Sequence, residues 1–458
     1  MGRATIIFSA VFLAIGGFLF GYDSGIIAST IALPTFLDYF GHLSGNTTGG
    51  IISAFQGGAI LGTIINMFAA DWLGRRRTIF AGSAVSCLGA SLQAGAVSIP
   101  MMIVGRFVGG VAVGILTSTI PMYAGELSEA HWGFLVAQWL GFGCSFVSSS
   151  FSWRFPLAFQ NVPSLILLVG SFFLNESPRW LMEKDKHEEA RAVLHRLRSG
   201  LDQDLIELEL QAIRDAIVAD RALGDISWKS ILTRPTWRKR LLLGCGIQAF
   251  GPLSGINVIN YFGPRIYGIL GISAQTSLMI IGINGALSIV YCTIGLWLLE
   301  KAGRIKPLIV SAVGLAAALL VNAVQGQYFN ADNANQLRSM VAMNFVFSLF
   351  YTPLGIISWV YPAEIFPVEF RALGNAITTF TNWTVNLIFA QFTPGALTAI
   401  EFKYFYVFFV FNIIALLCYI FFYPETKGRT LEQMDELFGD HVVNDPTVKK
   451  NVIAEEVE

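Results

Sequence analysis

The chain has 458 residues, of which 54% are hydrophobic and 13% are charged, and its formal net charge is -1. The charged share is about half of the roughly 25% that is usual in soluble proteins, and the mean hydropathy is +0.59. A water-soluble protein of this size could not bury so much apolar surface, whereas a lipid bilayer accepts it. The nearly neutral charge gives no sign of a nucleic-acid partner.

Windows of about 20 apolar residues predict membrane-spanning helices along the whole chain. The first window begins close to Met1 and is too long for the apolar core of a signal peptide, so we expect a first membrane helix there. A twelfth window, near 133–151, is weaker than the other eleven. The eleven clear windows lie near 5–31, 50–70, 78–97, 101–124, 155–174, 240–268, 276–299, 308–325, 339–363, 373–397 and 402–423.

The composition changes after residue 174, because residues 175–239 hold most of the charge. Parts of this segment have helical periodicity with charged faces, which predicts short surface helices. We therefore expect a first helix bundle at 1–174, a linker at 175–239, a second bundle at 240–423 and a tail at 424–458.

The placement of basic residues predicts the orientation of these helices. The loops at 71–77, 175–239 and 300–306 are rich in Lys and Arg, whereas those at 32–49 and 269–275 contain neither. Basic loops stay on the cytoplasmic side. Both termini and the linker are therefore expected in the cytoplasm, with the protein in the plasma membrane.

An internal repeat relates the two halves. Asp71-Trp72-Leu73-Gly74-Arg75 corresponds to Glu300-Lys301-Ala302-Gly303-Arg304, and the offset is 300 − 71 = 229 residues. In the same order, the motif that ends at Glu126 corresponds to the one that ends at Glu364. Two parallel halves with a site at their interface are typical of transporters.

Two ionisable side chains, Asp23 and Arg106, fall inside predicted helices. Each costs at least about 2.5–3.5 kcal/mol at mid-bilayer, so both are candidates for a function. One interpretation is a static ion pair that fixes the packing of two helices. The other is a carboxylate whose proton uptake breaks the pair and changes the preferred conformation.

Amide and aromatic side chains in later helices form a second candidate set. Sugars need amides for their hydroxyls and an aromatic face for the apolar side of the ring. The same residue types also form hydrogen bonds that hold helices together, so both interpretations stay open for each residue. The set comprises Gln248, Asn257, Asn260, Tyr261, Ser358, Trp359, Asn382, Trp383 and Asn386.

The sequence carries no catalytic motif. It has no Walker loop and no paired metal-ligand spacing, and its five cysteines lie in or beside apolar segments. Isolated cysteines in such segments are typical of small buried hydrophobes. We therefore expect no enzymatic activity, no cofactor and no metal site.

Several motifs together resemble the sugar porter family of the major facilitator superfamily, and the fungal hexose:proton symporters most of all. The resemblance covers almost the whole length. The motifs are Gly21-Tyr22-Asp23, Gly74-Arg75-Arg76, Gly105-Arg106, Glu176-Ser177-Pro178-Arg179-Trp180-Leu181, Gly255-Ile256-Asn257, Trp359 followed by Glu364 and Arg371, and Pro424-Glu425-Thr426-Lys427-Gly428-Arg429-Thr430-Leu431.

The resemblance implies an all-α, monomeric protein of twelve membrane helices in two six-helix bundles. It implies alternating access to a central site, with a sugar and a proton as partners. Asp23, with Arg106, is expected to couple protons, because passive relatives commonly carry Asn at the aspartate position. Together with Gln248 from the polar set, the sugar site is expected to contain Phe20, Asn257, Tyr261, Gly355, Trp359 and Asn382. The cytoplasmic gate is expected to contain Asp71, Gly74, Arg75, Arg76, Glu126, Glu300, Gly303, Arg304, Glu364 and Arg371.

The chain departs from the family in four places: Trp72 replaces a common Arg, no Arg follows Glu126 as Arg371 follows Glu364, and two further departures affect the sugar site and the fifth helix. Gly251 and Pro252 stand where relatives often have two Gln residues, which removes a usual partner of a sugar hydroxyl. Only Ala137 and Gln138 separate two motifs that enclose a full fifth helix in relatives, so roughly fifteen residues are missing compared with them. The remaining core, Gly133–Val147, gives about 22 Å of helix, which is too short alone for a hydrocarbon core of roughly 30 Å. We expect the segment still to cross, using Ser148–Ser150 and extending to Ser152, because otherwise the basic linker would face outward.

We therefore expect a proton-coupled monosaccharide transporter. The alternatives are a sugar sensor that binds without transporting, a facilitator of another sugar or polyol, and an inactive variant with a truncated fifth helix.

Overall fold

The computed structural model describes residues 2–119, 127–198, 203–222, 233–330, 333–429 and 431–439. Within these residues it contains nineteen α-helices, one 3-10 turn and no strand. The helices that precede the charged linker are α1 (Gly2–Ala32), α2 (Pro34–Phe40), α3 (Gly45–Leu73), α4 (Arg75–Ala94), α5 (Ile99–Thr119), α6 (Leu127–Cys144), α7 (Phe151–Phe159) and α8 (Asn161–Gly170).

The charged linker contains three short helices, α9 (Pro178–Glu183), α10 (His187–Leu197) and α11 (Gln203–Ala222). The helices that follow are α12 (Pro235–Leu253), α13 (Ile256–Ile269), α14 (Ala274–Ala302), α15 (Ile305–Gln327), α16 (Ala334–Ile365), α17 (Val368–Ile400), the 3-10 turn Glu401–Tyr404, α18 (Phe405–Phe421) and α19 (Leu431–Phe438).

Eight segments of the described chain are long and apolar enough to cross a membrane. They are Ala14–Ala32, Gly45–Ala70, Ile99–Thr119, Pro235–Ile269, Ala274–Ala302, Ile305–Gln327, Ala334–Ile365 and Leu373–Phe421, of which the last contains both α17 and α18. α4 lies outside this set, since it begins with three arginines. The predicted multi-pass, all-α architecture is confirmed, while the count of twelve spanning helices and the domain boundaries stay predictions.

The internal repeat is visible in the way two long helices begin. α3 and α14 have 29 residues each. The Ser44 hydroxyl accepts the Thr47 backbone N–H at 3.2 Å, and Ser273 accepts that of Thr276 at the same distance. Such Ser caps satisfy one of the unpaired N–H groups that open a helix. Since 273 − 44 = 229, the two helices follow the same offset as the Gly-Arg motifs at their other ends.

The first bundle is held together by glycines that bring helix backbones into contact. α5 packs along α3 and α4, and α6 packs along α1. A Cβ atom at Gly110 would overlap the Phe55 carbonyl, and one at Gly114 would overlap that of Ala59. Small residues at these positions allow α3 and α5 to approach closely, as is typical of membrane helices.

The fifth helix, α6, differs from the prediction. The expectation that it extends to Ser152 was wrong, because it ends at Cys144 and α7 begins only at Phe151. The Ser145 and Val147 N–H groups bond to carbonyls three residues earlier, which turns the chain before the serines. The described part of the helix begins at Leu127, before the apolar window. Its 18 residues give a length of about 27 Å, close to the roughly 30 Å of a hydrocarbon core.

Candidate functional site

A break between α12 and α13 positions the polar residues of the second bundle. Gly255 has a φ of 94°, a left-handed conformation that a side chain would strain. Pro252 lacks a backbone donor just before the break, and the Ser254 carbonyl accepts a hydrogen bond from Asn412 at 3.2 Å. The break therefore results from local residues and sets the direction in which Asn257 leaves the helix.

Four amide side chains form a continuous hydrogen-bonded series, the amide chain, across α12, α17 and α13. Asn382 donates to the Gln248 side-chain oxygen at 2.8 Å, and Asn386 donates to the Asn382 side-chain oxygen at 2.8 Å. Asn257 donates to Asn386 and completes the series. The structure thus brings together three residues of the expected sugar site, Gln248, Asn257 and Asn382. Amides that bond to one another can exchange those bonds for sugar hydroxyls without leaving polar atoms unpaired.

Aromatic side chains from both bundles meet beside these amides. The Trp383 ring lies 5.9 Å from Phe20 of α1 and 6.3 Å from Phe55 of α3, both in edge contact. The Trp383 indole N–H is buried and has no hydrogen-bond partner in the described chain. Trp383 adjoins Asn382, yet the expected sugar site does not include it.

Gly355 and Trp359 lie one turn apart on the same face of α16. Gly355 is next to the Tyr351 ring, since a Cβ there would be 3.1 Å from it. Trp359 is half-buried. Both residues belong to the expected sugar site, and neither is a member of the amide chain.

Asp23 and Arg106 are brought together, as expected, and both are almost fully buried. The Arg106 guanidinium donates to the backbone carbonyl of Asp23 at 3.3 Å and lies 4.3 Å from the Phe55 ring centre. Asp23 Oδ1 and two Arg106 nitrogens have no hydrogen-bond partner among the described residues. The predicted proximity is therefore present without a direct hydrogen bond between carboxylate and guanidinium.

Further buried polar atoms lie around this pair. Tyr261 of the second bundle interacts with Arg106, Gln56 and Ser24 of the first. In the described chain, the Ser24 hydroxyl and both amide atoms of Gln56 have no hydrogen-bond partner. We name this group, with Asp23, Arg106 and Gln138, the polar seam. Buried polar atoms are normally paired, so the polar seam is suited to bind water, protons or a polar ligand.

Gln138 links the short α6 to the polar seam, and sequence reasoning did not select it. Its amide donates to the Gly25 carbonyl at 3.0 Å, while its own carbonyl oxygen is unpartnered within the described residues. A Cβ at Gly133 would overlap the Phe18 carbonyl, so α6 lies directly on α1. A Gln within an otherwise apolar window was the available signal.

At the basic end of the second bundle, a group of side chains holds the start of α15. The Arg304 guanidinium donates to Glu364 at 2.5–3.1 Å, and Thr426 donates to Glu364 at 2.5 Å. Glu425 accepts the backbone N–H groups of Arg304 and Ile305 at 2.8 and 3.0 Å. We call this group the second clamp.

The first bundle has an equivalent group at the start of α4, the first clamp. Glu176 accepts the backbone N–H groups of Arg75 and Arg76 at 2.8 and 3.3 Å. Arg76 also donates to the Ser171 carbonyl at 3.0 Å. Gly74 and Gly303 precede the two helix starts with φ values of 85° and 84°.

The remaining residues of the expected gate are not part of the two clamps described above. Arg371 donates to the Phe366 carbonyl at 3.2–3.3 Å, and Glu300 is exposed. Glu126 and the side chain of Asp71 lie outside the described residues.

The pKa of Glu425 is shifted by its surroundings. Burial raises this pKa, but the backbone N–H groups of Arg304, Ile305, Lys427 and Thr426 stabilise the carboxylate and hold the pKa below its ordinary value of 4.5. Four such donors explain why the carboxylate stays charged in a half-buried place.

The two bundles contact each other near the helix ends opposite the clamps. Ser53 of α3 donates to Gln391 of α17 at 2.8 Å. A Cβ at Gly49 would lie 2.6 Å from the Gln391 carbonyl oxygen. Gln275 of α14 donates to the Ser145 carbonyl after α6 at 3.4 Å. These contacts close one end of the interface between the bundles.

A solved structure has this fold over its whole length. The proton:xylose symporter XylE of E. coli covers 96% of this chain and 100% of its own, with a TM-score of 0.77 at 22% identity. Two bundles that enclose a buried polar seam within the membrane define a transporter of the major facilitator fold. The family described as "Sugar (and other) transporter" matches residues 9–438. The chain belongs to this sugar transporter family.

Curated relatives are similar over nearly the same length. The MFS-type transporter criB of Aspergillus cristatus is 35% identical over 471 residues, which cover 99% of this chain and 98% of that protein. The high-affinity glucose transporter of Kluyveromyces lactis is 30% identical over 463 residues, covering 93% of this chain and 84% of its own.

Proposed function

We propose that this chain carries a small sugar across the membrane together with a proton, through alternating exposure of one site between its two bundles. The observation that carries the proposal is the polar seam, in which buried ionisable and amide groups of the first bundle have unpaired polar atoms and lie against Tyr261 of the second bundle. The names of two similar proteins support the choice of solutes. One, similar in structure, is a proton:xylose symporter, and the other, similar in sequence, is a glucose transporter.

The sugar binds along the amide chain. Asn382 and Gln248 exchange their mutual hydrogen bond for bonds to sugar hydroxyls, and Asn257 and Tyr261 contribute from α13. Trp359, with the space that Gly355 leaves on the same face of α16, offers an apolar surface to the ring. Phe20 of the first bundle contacts Trp383 and closes the site from the opposite side.

The proton binds at Asp23. A buried carboxylate without a direct partner favours its neutral form, while the nearby Arg106 guanidinium favours the charged form. A small movement of α1 against α5 changes the balance between the two effects. The protonation state of Asp23 is thereby coupled to the relative position of the helices.

In the membrane, the clamps and both termini lie on the cytoplasmic side of the plasma membrane, following the distribution of basic residues. The contacts of Ser53 and Gly49 with Gln391 then form an outer gate, and the site communicates with the cytoplasm. We propose that the protein works as a monomer, as the family resemblance implies.

The test is sugar uptake by the purified full chain in sealed vesicles. With an acidic exterior, labelled glucose or xylose should accumulate above its external concentration, and a protonophore should abolish the excess. If the internal sugar concentration only reaches the external one, with or without the protonophore, the result would indicate facilitated diffusion and exclude symport. Sugar binding without any uptake would instead support the sensor or the inactive variant.

A further inference from the structure

A groove of 390 Å³ lies on the surface of the second bundle, between the start of α12 and the end of α18. Ten residues line it, of which two are cationic and none is acidic. None of its lining residues belongs to the amide chain or the polar seam, and the proposed transport mechanism does not use it. We name it the α12–α18 groove.

The deeper part of the groove is apolar. Leu242 and Phe422, on opposite walls, have 66% and 64% of their surfaces exposed. A Cβ at Gly246 would lie 2.7 Å from the Tyr423 hydroxyl, so the absence of a side chain at Gly246 shapes the floor. The Tyr423 hydroxyl donates to the Leu243 carbonyl at 2.8 Å. Its polar atom is thus satisfied, and the Tyr423 ring adds to the apolar wall.

The groove runs along α12 over a distance greater than the apolar thickness of one leaflet. It extends from Pro235, the first residue of α12, to Phe250. These 15 steps of helix correspond to about 22 Å, whereas one leaflet of the hydrocarbon core is about 15 Å thick. The groove therefore begins at the membrane surface and continues through the apolar part of that leaflet.

Both cations lie at the membrane-surface end. Arg238 and Lys239 are exposed neighbours in the first turns of α12. The N-terminus of a helix already carries a partial positive charge, so two added cations create a place that favours an anion. The neighbouring Arg240 is buried and donates to the Ile365 carbonyl at 3.0 Å, so it belongs to the bundle interior.

We propose that the α12–α18 groove binds one anionic phospholipid of the leaflet that adjoins the clamps. The headgroup contacts Arg238 and Lys239, and an acyl chain lies along Leu242, Gly246 and Phe250. Along the groove the cations come first and the apolar wall follows. A phospholipid has the same order, with a charged headgroup followed by acyl chains. The inference goes beyond sugar transport and depends only on the proposed orientation, because the cytoplasmic leaflet is the one rich in anionic lipids.

The experiment uses the full chain in phosphatidylcholine vesicles with a trace of phosphatidylserine that carries a photoactivatable acyl chain. After irradiation, labelled peptides are identified by mass spectrometry. We expect the label in 235–250 and 418–423, displaced by unlabelled phosphatidylserine and not by added phosphatidylcholine. The double substitution Arg238→Gln/Lys239→Gln should weaken phosphatidylserine binding about 25-fold, since each cation near the surface contributes about fivefold.

The matched control is Arg77→Gln/Lys306→Gln. These two exposed cations lie at the starts of α4 and α15, so the substitution removes the same charge from the same side and leaves the groove intact. It should leave the labelling unchanged. A groove-filling variant, Cys418→Trp, keeps both cations and should reduce labelling at least tenfold, with folding checked by gel filtration.

Three results would overturn the proposal. If a phosphatidylcholine probe labelled the groove as strongly as the phosphatidylserine probe, the cations would not select the lipid. Equal loss of labelling in the control double variant would reduce the effect to net charge. A tenfold rise in labelling after deletion of the acidic segment 440–458 would identify the chain's own tail as the occupant of the groove.

Discussion

The helices α6 and α17 follow equivalent motifs in the two halves, yet they differ greatly in length. α6 begins one residue after Glu126, and α17 begins four residues after Glu364. α6 has 18 residues and α17 has 33, a difference of 33 − 18 = 15. The comparison covers described residues only, which for α6 begin at Leu127, and its direction agrees with the prediction that roughly fifteen residues are missing from this helix.

The comparison suggests a division of tasks between the halves. α17 brings Asn382 and Asn386 to the amide chain and places Trp383 beside it, whereas α6 brings Gln138 to the polar seam. The first half instead contains the buried ionisable pair, Asp23 and Arg106. We infer that the second half provides most of the affinity for the sugar and that the first half responds to the proton.

The largest expected effect comes from removing the buried carboxylate of Asp23 in the first half. Asp23→Asn should abolish proton-driven accumulation of sugar, because the amide cannot take up a proton. Exchange of labelled for unlabelled sugar across vesicles should persist, since the amide chain is intact. Accumulation of the wild-type extent in this variant would exclude Asp23 as the coupling residue.

Breaking the centre of the amide chain should have the next largest effect. Asn382→Ala removes the partner of both Gln248 and Asn386, so sugar affinity should fall on the order of tenfold to a hundredfold. Binding is measured by calorimetry on purified protein. Asn322→Ala is the control, because Asn322 bonds to Asn344 between α15 and α16, away from the site. Unchanged affinity in Asn382→Ala would remove the amide chain from the sugar site.

Lengthening α6 tests the comparison directly. Insertion of about fifteen apolar residues, with Gly and Gln among them, after Gln138 would restore the segment that the family resemblance places between the two motifs. Initial sugar uptake in vesicles should rise several-fold over the chain as it stands. The same number of residues inserted in the loop at Gly41–Ser44 is the control. If the short form already transports as fast as the extended form, 18 residues are sufficient for function.

The smallest effect concerns the second clamp. The pKa of Glu425 lies below its ordinary value, so the carboxylate stabilises the folded state above the pKa of the unfolded chain and loses that contribution as pH falls. The melting temperature of the wild type should therefore drop on acidification more than that of Glu425→Gln. At neutral pH this variant should melt a few degrees lower, through the loss of hydrogen bonds to a charged acceptor. Glu300→Gln, an exposed substitution, should melt like the wild type at each pH.

Much of the fold could be predicted because a run of about 20 consecutive apolar residues indicates a membrane helix. The clamps could be predicted only in part, since Glu176 and Glu425 act on backbone N–H groups 101 and 121 residues away. Nothing in local spacing indicates such distant pairs. The signal was an acidic residue in the same place after each bundle, in Glu176-Ser177-Pro178 and again in Glu425-Thr426-Lys427. Similarly, the unpaired indole of Trp383 depends on how α1, α3 and α17 pack, which no single window contains.

The contact of Gly49 with the backbone at Gln391 has a consequence for the energy of the whole cycle. Apolar burial contributes about 25 cal/mol per Å², and a glycine has no side chain with which to bury such area. A seal made by two backbones therefore excludes solvent through close fit while storing little free energy. Opening this contact therefore requires little free energy. A solute that binds the outward-open or the inward-open conformation only modestly better can then shift their populations.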